Sequence, residues 1–167
     1  MRLYGAVLVS AAALYTGGAM CALWRRRTAE LEAFCALISA LENGIGQMGL
    51  PLSAILLPYQ SEVLQRCGFL AQVRKRMDED MGAGAVSSAF DACRSSLALD
   101  TEECALLSAF FEALGTEDRT RERQRCACAY AALHARYEAA ASALSERCRL
   151  SRTLSVSAGG LALLLLW

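Results

Sequence analysis

The stretch from residue 126 to residue 148, CACAYAALHARYEAAASALSERC, contains neither glycine nor proline. Its apolar residues and cysteines return at steps of three and four, at positions 126, 130, 133, 137, 141, 144 and 148. This spacing is typical of one face of an α-helix, which turns once in about 3.6 residues. No breaker follows Thr116 until a terminal apolar run, so the pattern predicts one helix from about 117 to 150, about 50 Å long.

Shorter segments with the same period precede this helix. Gly49, Pro51 and Pro58 interrupt the pattern, and Asp100 with Glu103 three residues later predicts the N-terminal cap of a helix that ends at Gly115. The predicted helices are about 28–48, 51–57, 58–81, 85–97 and 100–115. No alternating strand pattern bounded by turns occurs in the sequence. The sequence therefore predicts an all-α fold, a bundle of about six helices.

Two uncharged runs flank the predicted bundle. Residues 3–24, LYGAVLVSAAALYTGGAMCALW, are long enough at about 33 Å to cross a hydrocarbon core of about 30 Å. Residues 153–167, TLSVSAGGLALLLLW, reach only about 22 Å, which makes a short span. We therefore expect an N-terminal transmembrane helix in residues 1–24, a helical-bundle domain in 25–152 and a C-terminal transmembrane helix in 153–167.

Arginines mark the inward side of both runs. Arg25, Arg26 and Arg27 follow the first, and Arg147, Arg149 and Arg152 precede the second. Because basic residues stay on the cytoplasmic side, the central domain is expected in the cytoplasm, with the protein in the cell membrane. A cleaved signal peptide ending near residues 17–19 is the alternative, but the long run and the three arginines directly after it favour an uncleaved anchor.

The sequence gives little support for catalysis or metal binding. His134 is the single histidine, and no G-x-S-x-G, C-x-x-C or P-loop motif occurs. Cys126 and Cys128 would point about 200° apart on a helix, so they cannot share an ion. Seventeen basic and seventeen acidic residues balance, which gives no reason to expect a nucleic-acid partner. We expect a non-enzymatic protein with no cofactor and no metal.

The eight cysteines allow a second interpretation. They lie at positions 21, 35, 67, 93, 104, 126, 128 and 148. Most fall in helical apolar patterns, where a free cysteine packs as a small hydrophobic residue, and the cytoplasm keeps thiols reduced. We therefore expect eight reduced packing residues. A small membrane redox protein using clustered cysteines is the alternative, and it would require reactive thiols of low pKa.

The densest charge block in the chain is residues 117–125, EDRTRERQR. A solvated helix start is the simplest interpretation, with the acidic residues near the positive end of the helix dipole. The apolar stripe that begins at Cys126 already supplies this helix with a packing face, so we expect the preceding charges not to be needed for the core. They are a candidate surface for docking a cytoplasmic partner, formed by Asp118, Arg119, Arg121, Arg123 and Arg125.

A set of short motifs recurs in order over nearly the whole chain: Gly5 in the first anchor, Glu42, Gly49, Pro51-Leu52, Phe110-Phe111, Leu114-Gly115, Asp118-Arg119, and Leu154 and Gly159 in the terminal run. The order of these features resembles the stage III sporulation protein AB family of endospore-forming bacteria. Two positions depart from the family pattern. Glu122 replaces an expected glutamine, and Ser155 replaces the glycine expected after Leu154.

The resemblance implies a platform or assembly subunit of the channel complex that joins mother cell and forespore. It would lie in the mother-cell membrane around the forespore, with its bundle similar to the cytoplasmic domains of the F-type platform of type II secretion. It also implies a partner, the companion protein AA, which resembles secretion ATPases. A platform component of a general secretion or pilus system is the alternative within the same class.

Overall fold

The computed structural model describes residues 2–79, 84–116 and 118–166. For residues 2–14 and most of 151–166 it describes the backbone alone. The secondary structure of the described residues is helical throughout, which confirms the all-α prediction. The α-helices are α1 Arg2–Asn43, α2 Leu52–Leu56, α3 Glu62–Arg66, α4 Phe69–Asp78, α5 Ala85–Cys93, α6 Thr101–Ala113 and α7 Arg119–Leu166, with a π-helical turn Gly44–Met48 and a 3₁₀ turn Arg94–Ser96.

The helix boundaries differ from the prediction in two ways. The predicted helix 58–81 is two helices, α3 and α4, because Gly68 between them adopts a left-handed conformation with φ of 83°. The predicted anchors are also continuous with bundle helices. Residues 2–43 form one helix, and so do residues 119–166, since no helix breaker separates either apolar run from its neighbour.

The chain divides into two compact units. One comprises residues 29–137 and the other comprises residues 1–28 with 138–167. In the unit 29–137 the core is centred on four fully buried phenylalanines, Phe34, Phe69, Phe90 and Phe111, each from a different helix. Their ring centroids lie 5.4–6.4 Å from one another, within the range of favourable aromatic pairs. These rings hold α1, α4, α5 and α6 together.

The predicted cap of α6 is confirmed. The Asp100 carboxylate accepts a hydrogen bond from the Glu103 backbone N–H at 2.8 Å, and the Glu103 carboxylate accepts one from the Asp100 N–H at 2.9 Å. This capping box satisfies two backbone donors that the start of a helix would otherwise leave unpaired. The Glu30 carboxylate accepts a further bond from the Ala98 N–H at 2.6 Å, so α1 fixes the loop that leads into the cap.

In the unit 1–28 with 138–167, Cys21 of α1 and Cys148 of α7 form a disulfide, with their Cα atoms 5.3 Å apart. The expectation of eight reduced cysteines is therefore wrong at these two positions. The spacing of apolar residues along one helix could not reveal that two residues 127 positions apart face each other across a distance that suits a disulfide. The remaining six cysteines are not part of a disulfide.

Within the part of the chain that the structure describes, no helix has a stretch long and apolar enough to cross a membrane. Most side chains of the two predicted transmembrane segments, 1–24 and 153–167, lie outside that part.

Candidate partner-docking surface

A buried carboxylate connects the start of α7 to the end of α6. Glu122 is only 2% exposed, and its carboxylate accepts a hydrogen bond from the Gly115 backbone N–H at 2.8 Å. Arg125 pairs with the same carboxylate at 3.1 Å and also donates to the Ala113 carbonyl. Since α6 ends at Ala113, the bond from Arg125 satisfies one of the carbonyls that the end of a helix leaves open, and Glu122 satisfies the Gly115 N–H in the turn that follows.

This arrangement corrects the expectation that the charge block is not needed for the core. Glu122 is buried and Arg125 is mostly covered, so both are part of the α6–α7 junction. Removing one member of such a group leaves a buried donor or charge without its partner, which costs more than the bond itself contributes. A glutamine at position 122, which the family resemblance leads us to expect, could accept the Gly115 bond through its amide oxygen. Arg125 is therefore a structural residue rather than a free docking cation.

The other four members of the predicted surface are exposed. Asp118, Arg119, Arg121 and Arg123 all have solvent-accessible side chains. Arg123 lies 3.9 Å from the Glu42 carboxylate of α1, a loose contact between partly exposed groups. For Arg119 and Arg121 no carboxylate of the described residues forms an ion pair. The structure thus divides the predicted surface into one partly buried residue, Arg125, and four exposed residues, of which Asp118 is acidic and three are arginines that present positive charge to solvent.

Two of these arginines lie against the turn that follows α1. A Cβ atom built on Gly49 would come within 2.6 Å of the Arg119 guanidinium, and one built on Gly46 would come within 2.9 Å of Arg123 Cδ. The turn can approach α7 so closely because both positions lack a side chain. Gly49 has a φ of 62°, a left-handed conformation that favours glycine, and its N–H bonds to the Gly44 carbonyl. The turn is therefore part of the same surface as the arginines.

The turn also exposes apolar side chains, although the period of the predicted helix 28–48 would place Met48 on its buried face. That face is buried from Leu31 as far as Leu41, but Met48 is 69% exposed and Leu50 is 39% exposed. Residues Gly44–Met48 form a π-helical turn, which advances fewer degrees per residue than an α-helix. Met48 consequently rotates away from the core face. The segment GIGQMGLP at 44–51 combines three glycines, a proline and apolar residues, a signal that a turn search could have used.

The cysteines of α7 show its two faces. Cys126 is fully buried and Cys128 is exposed, which confirms that the two thiols point apart. Burial raises the pKa of Cys126 to about 12, of Cys93 to about 12 and of Cys35 to about 11. Reactive thiols have a lowered pKa, so these three shifts run in the opposite direction. His134 lies between Tyr130 and Tyr137, with ring centroids 5.3 and 5.8 Å away, and is partly buried at the boundary of the core.

These features define a class of protein: an all-α chain with a small helical core in residues 29–137, two long helices, α1 and α7, and a cationic surface next to exposed apolar residues. Comparison with protein families is more specific. The model of the stage III sporulation protein AB family matches residues 2–167, and the chain belongs to this family. Family membership supports a role in sporulation. No curated protein and no solved structure matches the chain.

Proposed function

We propose that the chain is a non-enzymatic platform or assembly subunit of the channel complex between mother cell and forespore. The observation that carries the proposal is the family match over residues 2–167. The structure adds a reason for an assembly role, since exposed arginines are held on a well-braced helix start rather than on a loose segment. A rigid element of this kind presents charge to a partner with little loss of conformational freedom on binding.

The proposed location is the mother-cell membrane around the forespore, with residues 25–152 in the cytoplasm. Three features of residues 1–28 and 138–167 support membrane attachment. The runs 3–24 and 153–167 carry no charge, arginines flank both on the inward side, and Tyr15, Met20 and Leu23 are large apolar residues exposed on α1. Exposed apolar side chains on an uncharged helix are favoured where the surroundings are lipid rather than water.

The proposed partner is the companion protein AA, which resembles secretion ATPases. Docking would use the exposed members of the predicted surface: Asp118, Arg119, Arg121 and Arg123. Surface cations contribute little to the stability of a fold, so their concentration here is better explained by an interaction with acidic groups. Arg125 would contribute indirectly, because its bonds to Glu122 and Ala113 keep the first turns of α7 in place.

Two alternative functions can be distinguished from the proposed one. A platform component of a general secretion or pilus system would share the fold but be encoded beside pilin and prepilin-peptidase genes rather than sporulation genes. A membrane redox protein would need a reactive thiol, and burial shifts the pKa of Cys35, Cys93 and Cys126 away from the thiolate form. That shift favours the platform proposal over the redox one.

The first test of the proposal is a deletion of the gene in the native host. We expect vegetative growth to continue and heat-resistant spores to be lost, with restoration by the wild-type gene. The protein should fractionate with membranes of sporulating cells. Normal spore counts in the deletion strain would overturn the proposed role.

The orientation can be tested without introducing a new cysteine. Cys128 is an exposed free thiol in the predicted cytoplasmic domain. An impermeant maleimide should fail to label it in intact cells and should label it after permeabilisation, with Cys128→Ser as the matched control. Labelling from outside intact cells that disappears in the Cys128→Ser variant would contradict the proposed topology.

A further inference from the structure

We infer that the turn after α1 and the start of α7 form one composite docking surface, which binds an amphipathic acidic segment of the partner. This surface, the turn surface, consists of Met48, Leu50, Arg119 and Arg123. The inference rests on the proposed docking function and adds two residues from another helix, together with the chemistry of the segment that binds.

The apolar half of the surface stands out from the rest of the bundle. Among the described residues of 29–137, the large apolar side chains that are clearly exposed are Met48, Leu50 and Leu57. All three fall within ten residues of sequence: Met48 ends the π-helical turn, Leu50 lies between this turn and α2, and Leu57 follows α2. Exposing large apolar side chains to water is unfavourable, and a cluster of them on an otherwise well-buried domain typically marks an interaction site.

The cationic half lies directly beside it. The Arg119 guanidinium is the group that a Cβ on Gly49 would meet, and Gly49 is the residue between Met48 and Leu50 in the turn. Arg123 lies against Gly46 in the same way, with Glu42 as a loose partner. The glycines thus bring two arginines of α7 into contact with the backbone of the apolar turn. Larger residues at these positions would hold the two halves apart.

The chemistry of the surface defines its partner. Apolar side chains of the partner would cover Met48 and Leu50, and carboxylates would pair with Arg119 and Arg123. Nucleic acid would match the cations but leave the apolar side chains uncovered. A lipid surface would accept both; we assign the surface to a protein because the proposed function requires a cytoplasmic protein partner. An amphipathic helix satisfies both halves at once if a row of acidic residues borders its apolar face.

The experiment measures binding of the purified companion protein AA to the full-length chain in nanodiscs, at about 50 and about 300 mM salt. The first variant, Met48→Ser with Leu50→Ser, removes the apolar half. The second, Arg119→Gln with Arg123→Gln, removes the cationic half. The matched controls are Leu150→Ser, an exposed apolar residue elsewhere, and Arg66→Gln with Lys75→Gln, two exposed cations on α3 and α4. Circular dichroism verifies the fold of every variant.

The two halves have different expected signatures. The serine variant should weaken binding about tenfold at both salt concentrations, since loss of apolar contacts is insensitive to ionic strength. The glutamine variant should weaken it mainly at low salt, so that the affinity changes less between the two conditions. Both control variants should bind like wild type.

The outcomes separate the two proposals. A wild-type chain that fails to bind companion AA at either salt concentration would overturn the proposed docking function, and this inference with it. Wild-type binding that neither the serine nor the glutamine variant changes would overturn the composite surface alone. Loss of binding in the glutamine variant with none in the serine variant would also overturn it, because the apolar half would then have no part in docking.

Discussion

The first turns of α7 have an inner and an outer face that differ in what their charges do. On the inner face, Glu122 and Cys126 are buried, and Glu122 joins α7 to the end of α6. On the outer face, Arg121 and Cys128 are exposed to solvent. Both faces belong to the same short, strongly charged segment, so charge density alone does not separate a structural group from an available one. The position of each residue around the helix, and what the neighbouring helix end requires, decide its role.

The largest expected effect on stability comes from removing the buried carboxylate of the inner face. Glu122→Ala should lower the free energy of unfolding by about 2–3 kcal/mol, because it leaves the Gly115 N–H and the Arg125 guanidinium without their acceptor. Glu122→Gln should cost clearly less, since its amide oxygen can still accept the Gly115 bond. Urea denaturation followed by circular dichroism measures both. Equal stability of the alanine variant and wild type would show that the carboxylate does not brace the junction.

A smaller effect on stability is expected from deprotonation of the Cys126 thiol on the inner face. Burial raises the pKa of Cys126 from 9.0 to about 12, so the folded state favours the protonated thiol. Its contribution to stability is complete below about pH 9 and is lost as the pH rises from about 9 towards 12. Between pH 8 and pH 10 this thiol should account for a loss of at most about 1.4 kcal/mol.

The Cys126→Ala variant isolates that contribution. Its urea midpoint should decline less between pH 8 and pH 10 than the wild-type midpoint, whereas Cys128→Ala should decline like wild type. An identical decline in all three proteins would mean that the Cys126 thiol is not protected by burial.

The outer face should contribute least to stability. Replacing Arg119, Arg121 and Arg123 together by glutamine should change the free energy of unfolding by less than about 1 kcal/mol, because exposed cations make weak, screened interactions. Thermal unfolding of the triple variant beside the Arg66→Gln, Lys75→Gln control measures this. A large loss in the triple variant would place these arginines with Glu122 as structural residues.

The two thiols offer a comparison in which only exposure differs. Under native conditions at pH 7.5, a maleimide should modify Cys128 rapidly and leave Cys126 unmodified until the protein is denatured, because burial keeps that thiol protonated and covered. Peptide mapping by mass spectrometry identifies the modified positions. Modification of Cys126 at a similar rate would contradict the assignment of the two faces.

Local sequence patterns were sufficient for much of the fold. The capping box at Asp100 and the buried faces of α1, α6 and α7 follow from periodicity and helix-end chemistry, which act between residues a few positions apart. The division of the charge block was not predictable in this way. The buried Glu122 accepts from the Gly115 N–H in the turn after α6, a tertiary contact that periodicity within α7 does not contain.

Two other features could not be predicted from the sequence for related reasons. The Cys21–Cys148 disulfide depends on the approach of residues distant along the chain. The exposure of Met48 depends on one π-helical turn, which changes the angular position of every residue after it. The candidate surface was therefore found in part: the arginines were predicted from their density, whereas the apolar turn beside them required the structure.

Spore formation by a strain carrying Arg119→Gln, Arg121→Gln and Arg123→Gln at the native locus tests the central claim most directly. Immunoblotting gives the level of the protein, and heat-resistant colony counts give its function. The account predicts a wild-type protein level with at least about tenfold fewer spores, since these exposed cations serve docking rather than folding. Wild-type spore counts at a wild-type protein level would contradict it.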